Sequence, residues 1–150
     1  MVAKGAILVT HLFLSFFLAF TLMKLRILGN TLRLRILKPE LEQLHQGGTI
    51  EGFLQYGVRQ EDGLHYHLAV GAQEETLQIQ SLEKGFCVQI SAAVVNEMVE
   101  TERVGVVERI SVADDHVVEV RVEKDFKCLD ARPEDRFAFP HPKEGDSSVC

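Results

Sequence analysis

Hydrophobic and polar positions fall into distinct regimes along the chain. Residues 5–23, GAILVTHLFLSFFLAFTLM, run for 19 positions without an Asp, Glu, Lys or Arg. At about 1.5 Å rise per residue, a helix of that length reaches nearly 30 Å, the thickness of a bilayer's hydrocarbon core. No polar face recurs at helical spacing, and a small domain has no room to enclose a helix that is apolar all round. The pattern therefore predicts a single transmembrane helix, an anchor over residues 1–24 in which Gly5, Phe13, Phe17 and Met23 face lipid. The run ends in Thr21-Leu22-Met23-Lys24 with no small-x-small cleavage pattern, which favours a retained anchor over a removed signal peptide.

Residues 25–48 read as a basic juxtamembrane linker. Lys24, Arg26, Arg33, Arg35 and Lys38 precede the first acidic residue, Glu40. From Thr31 to Lys38 leucine alternates with arginine, which suits a strand or a basic stretch lying on anionic headgroups. Pro39 opens a short helical piece, Glu40 to His45, that Gly47-Gly48 ends.

Period-two alternation begins at Thr49 and predicts a β-rich domain over 49–129. Ile50–Val58 and Leu64–Val70 form a hairpin around Asp62-Gly63, with His65 and His67 on the face opposite Tyr66 and Leu68. Leu77 and Ile79, then Phe86, Val88 and Ile90, mark two more strands. The period changes over Ala92–Glu102, where Val94, Val95, Met98 and Val99 line one side of a helix that Ser91 caps. Val104–Ile110 and Val118–Val122 form a second hairpin around Ala113-Asp114-Asp115. The expected fold is mainly β: a small barrel or curled antiparallel sheet of about six strands with one short helix. Gly52 and Gly105 each stand ten residues before an Asp, a layout that fits either an internal duplication or two unrelated hairpins. Residues 130–150 hold three of the four prolines and two large apolar side chains, Phe137 and Phe139, and read as an extended or disordered tail from which either phenylalanine can dock.

Charge assigns sides. The chain carries 16 Lys+Arg against 22 Asp+Glu, yet the basic residues crowd the flank of the apolar run. That excess places the C-terminal domain on the cytoplasmic or equivalent side of the membrane. Beyond residue 45 acidic residues outnumber basic ones two to one, which disfavours nucleic acid. Three unpaired cysteines, Cys87, Cys128 and Cys150, argue against a secreted disulfide framework.

Candidate chemistry is sparse. His65 and His67 project on the same side of a strand, as a metal pair requires, and with His116 they form a candidate site in which zinc is the default ion. Most such pairs on a strand are simply the solvent face of a hairpin. Asp114-Asp115-His116 resembles an acid/base cluster but sits at a turn, where Asp is favoured for its own backbone contacts. His11, within the apolar run, is a candidate contact to another membrane helix. No nucleophile motif, phosphate loop or paired C-x-x-C occurs. The expectation is a membrane-anchored, non-enzymatic interaction or assembly module, its partners the lipid bilayer and other membrane protein subunits. A ligand- or metal-sensing domain and a small membrane-bound enzyme are the alternatives.

Overall fold

In a computed structural model, residues 22–127 and 136–140 are described. The order is β1 (Lys24–Leu28), β2 (Thr31–Ile36), α1 (Lys38–His45), β3 (Thr49–Gln55), β4 (Gly63–Gly71), β5 (Leu77–Leu82), β6 (Gly85–Ser91), α2 (Ala92–Glu100), β7 (Gly105–Ala113) and β8 (His116–Lys124). The fold is mainly β, but the expected barrel does not close. Eight strands form two four-stranded sheets, ordered β1-β2-β8-β7 and β3-β4-β6-β5. In each sheet two antiparallel hairpins meet through parallel inner strands, β2 with β8 and β4 with β6. The chain within 25–48 is no linker: it supplies most of β1, all of β2 and α1.

The two hairpins of one sheet come from opposite ends of the chain, and the reason is an internal repeat. The unit β-β-α-β-β occurs twice, and each copy gives one hairpin to each sheet. A shift of 54 residues superposes the registers: Ile36 opposite Lys124 matches Ile90 opposite Val70. The same shift relates buried pairs, Met23 with Leu77, Leu34 with Val88, Ile36 with Ile90, Leu41 with Val95, Leu44 with Met98 and Leu68 with Val122. It also relates two hydrogen bonds that seat the central ladders, Glu119 N to Asn30 O and His65 N to Lys84 O, both 2.9 Å. The Gly52/Gly105 coincidence is not this repeat: Ile50 and Val106 stand opposite the matched Leu68 and Val122, so β7 lies two residues further along the chain than the shift of 54 would place it.

Apolar residues of both sheets and both helices meet in one core. Alternation drives it: on β2, Leu32, Leu34 and Ile36 point inward while Thr31, Arg33 and Arg35 point out. Burial of each large aliphatic contributes about 1.5–3 kcal/mol. Helix α1 packs on α2 and β3, and α2 on β6 and β4. The Glu40 carboxylate, itself buried, accepts from the backbone N–H of Leu37 at 2.9 Å and Leu22 at 2.8 Å. It thus caps α1 and ties down the chain's entry to β1.

Two expectations at the ends change. Met23, read as lipid-facing, is 3% exposed and belongs to the core, because β1 starts at the next residue. Gly5, Phe13 and Phe17 lie outside the described residues, and no helix among the described residues is long and apolar enough to cross a membrane. At the other end, part of the tail docks. Phe139 bridges to Phe126, its N–H donating to Asp125 O at 3.0 Å, and the ammonium groups of Lys124 and Lys38 lie 5.0 and 5.5 Å from its ring centre.

Candidate functional site

The outward faces of the two sheets share one backbone plan and carry opposite chemistry. Each strand exposes alternate residues, and the registers set them in rows across the sheet. On the first sheet the rows are Lys24, Arg35, Glu123, Gly105; then Arg26, Arg33, Arg121, Val107; then Leu28, Thr31, Glu119, Arg109. Four of the five basic residues expected to face the membrane, Lys24, Arg26, Arg33 and Arg35, thus lie on one sheet face with Arg109 and Arg121. The fifth, Lys38, opens α1 beside Phe139.

The middle row sets three arginines side by side on adjacent strands. Like charges directly opposite in a ladder cost roughly 0.2–1 kcal/mol each, and this face has two such pairs on β1–β2 alone, Lys24 with Arg35 and Arg26 with Arg33. Two carboxylates offset part of the repulsion. Glu123 pairs with Arg33, whose Nη2 donates to Oε1 at 3.2 Å and whose Nε lies 3.0 Å from Oε2 without a hydrogen bond to it, and stands 3.8 Å from Arg35. Glu119 Oε1 accepts from Arg121 Nε at 2.7 Å, with Nη2 at 2.6 Å. Lys24 pairs with the buried Asp125 at 2.7 Å. Arg26 has no carboxylate partner among the described residues. Arg26, Arg33 and Arg121 line a shallow cleft of about 280 Å³ together with Thr31, Leu28 and Glu119.

On the second sheet the matching rows are Gln78, Gln89, Ala69, Thr49; then Gln80, Cys87, His67, Glu51; then Leu82, Gly85, His65, Phe53. Here glutamine, cysteine and histidine replace lysine and arginine. His65 and His67 do share a face, with ring centres 6.2 Å apart, and Phe53 stacks on His65 at 4.6 Å. His116 is not with them. It begins β8 of the other sheet, with Nδ1 2.9 Å from Asp114 O, at the tight turn where Asp115 takes φ 60°. The trio is therefore not brought together, and among the described residues no three His, Cys, Asp or Glu side chains are placed to hold a metal ion. Cys87, flanked by His67, is buried, and that burial pushes its thiol up from the usual value, so it stays protonated rather than nucleophilic.

A larger cleft of about 440 Å³ lies where β5 and β6 approach β7, lined by Ile79, Phe86, Ile110, Val112 and two serines, with no titratable group. Beyond it, exposed large apolar residues gather on two edge strands: Ile27 and Leu28 on β1, Phe53 and Leu54 on β3, with Tyr56 just past β3. The arginine row was the feature sequence reading missed. The alternating Leu-Arg signal was visible, but only the register with β8, some ninety residues on, adds Arg121.

No curated protein and no solved structure matches this chain. One family model does, over residues 23–143, from the first core residue through the docked tail. The chain belongs to DUF7009, a family of unknown function.

Proposed function

We propose that the 23–143 domain is a non-enzymatic interaction module that docks a protein partner through the open edges β1 and β3, held at a membrane by the apolar stretch before it. The observation that carries this reading is the set of exposed apolar side chains on those edges. Ile27, Leu28, Leu54 and Tyr56 are 57%, 67%, 55% and 73% exposed. Unpaired strand edges with large apolar residues are templates for another chain, by strand addition or face-to-edge packing. The equivalent edges β5 and β7 approach each other, where the Thr76 hydroxyl donates to the Glu108 carboxylate, and the apolar residues exposed on β7 are the smaller Val107 and Val112. The fold thus brings one pair of edges together and leaves on the other the larger exposed apolar side chains.

The tether reading uses residues 5–21, since Met23 is committed to the core and the Leu22 N–H is held by Glu40; 17 residues reach about 25 Å, the short end of a single span. The module then follows the membrane without a spacer, and its partners are other membrane protein subunits on the cytoplasmic or equivalent side. Two measurements separate the parts. Full-length chain is expected in the membrane fraction after alkaline extraction, and chain starting at Leu22 in the soluble fraction, folded; full-length chain extracted with the soluble proteins ends the tether. In mild detergent, a stoichiometric protein is expected to co-purify with the full chain and to be lost with Leu54→Asp and Tyr56→Asp; retention with both variants ends the edge-docking reading.

A further inference from the structure

We infer that the arginine row of the first sheet is a binding site for phosphate, a site that adjoins the edge-docking surface at Leu28 and has its own test. The argument starts from repulsion. Arg26, Arg33 and Arg121 are neighbours across three adjacent strands, which lie about 4.8 Å apart, so their guanidinium groups carry like charge at close quarters. The second sheet shows that the backbone does not demand this: at the matched positions it carries Gln80, Cys87 and His67. A solution without neighbouring arginines exists within the same chain, and the first sheet departs from it at all three positions.

The arrangement is also preorganised. The ion pair of Arg33 with Glu123, closed by one hydrogen bond from Nη2, and the bond from Arg121 Nε to Glu119 hold two of the guanidinium groups against half-buried carboxylates. Each fixed guanidinium keeps its Nη1 hydrogens for a ligand, and Arg26 keeps its whole fork. The Thr31 hydroxyl lines the same cleft and supplies a neutral donor. Planar forks of this kind match the oxygens of phosphate two at a time, and three in a row exceed what a single carboxylate can use. Glu119, which also lines the cleft, is engaged by Arg121, and the acidic body of the protein repels long nucleic acid, so a compact phosphate or diphosphate group is the ligand chemistry. Such a group comes either from a soluble phosphate ester or from an anionic lipid headgroup.

The test is calorimetric titration of the full chain in mild nonionic detergent with inorganic pyrophosphate at fixed ionic strength. Saturable binding is expected, weakened about tenfold or more by Arg26→Gln and by Arg33→Gln, and unchanged by Lys84→Gln on the far hairpin. Arg26→Gln is expected to leave the melting temperature unchanged or to raise it, which a merely structural role for Arg26 would not do. Short-chain phosphatidylglycerol, tested as a competitor against short-chain phosphatidylcholine, separates the sources. Displacement by the first alone assigns a lipid headgroup; displacement by neither, with pyrophosphate binding intact, assigns a soluble phosphate ester. Absence of saturable pyrophosphate binding, or binding indifferent to both arginine variants, overturns the inference.

Discussion

The two sheets are built from the same pieces in the same register and differ where they meet solvent. Inward, the halves largely agree: matched positions are apolar in both, except that the buried Lys124 stands where the other half has Val70, and each half contributes to one core. Outward, one half carries arginine where the other carries glutamine, histidine or cysteine. Residues that hold the fold are constrained by packing, so the repeat keeps them apolar. Residues on an open sheet face are released from packing, so their identity reports on what the face meets.

The comparison can be broken at several points. Ile36 and Ile90 are matched, and both are fully buried. Ile36→Ala and Ile90→Ala should each cost about 2–5 kcal/mol in chemical denaturation, and by similar amounts. A loss at one site several-fold smaller than at the other would deny the common core. Gly85 matches Thr31, but a Cβ at Gly85 would stand 1.7 Å from the His65 carbonyl oxygen. Gly85→Ala should therefore push β6 from β4 and cost about 1–3 kcal/mol, whereas Thr31→Ala should cost little. Arg26→Gln, which installs the residue of matched position 80, should stabilise the domain by roughly 0.2–1 kcal/mol at low salt, with the gain shrinking as salt is added. A loss of stability would mean that the arginines are not in mutual repulsion.

The smallest effect is a dependence on pH. Burial holds the Lys124 ammonium below its ordinary 10.5, with Glu102 opposing. The folded state therefore sheds this proton first, and the cost of burying the charge, complete below the lowered value, fades as pH rises toward 10.5. Cys87 acts in the opposite sense: its raised thiol contributes stability that is complete below 9.0 and lost as pH climbs past it. Lys124→Val, the residue of matched position 70, should remove the alkaline gain and leave the Cys87 loss, as denaturation midpoints at pH about 8 and about 10 would register. An unaltered pH profile would show that Lys124 is not buried as described.

Much of the second sheet was legible in sequence. Period-two runs located β3 to β6, the change to helical spacing located α2, and in the first sheet the β7–β8 hairpin was equally plain around Asp114-Asp115. The first sheet was harder for a physical reason. Met23 and Leu25 continue an apolar run that reads as lipid-facing, and Lys24 and Arg26 read as a flank, so β1 was hidden inside a stronger signal. The repeat was invisible because only packing is shared: Leu34 and Val88, or Leu44 and Met98, are alike in burial but not in letter. His116 was grouped with His65 and His67 because composition cannot report which sheet a strand joins. The arginine row depends on a parallel pairing across the length of the chain, which no local pattern encodes.

The most direct test of the central claim is the map of backbone amide shifts on titrating the protein with pyrophosphate. The account predicts changes confined to the outward positions around Arg26, Thr31, Arg33 and Arg121, with Gln80, Gly85, Cys87 and His67 unmoved. Shifts that fall equally on the matched positions of both sheets, or on the second sheet alone, would contradict it.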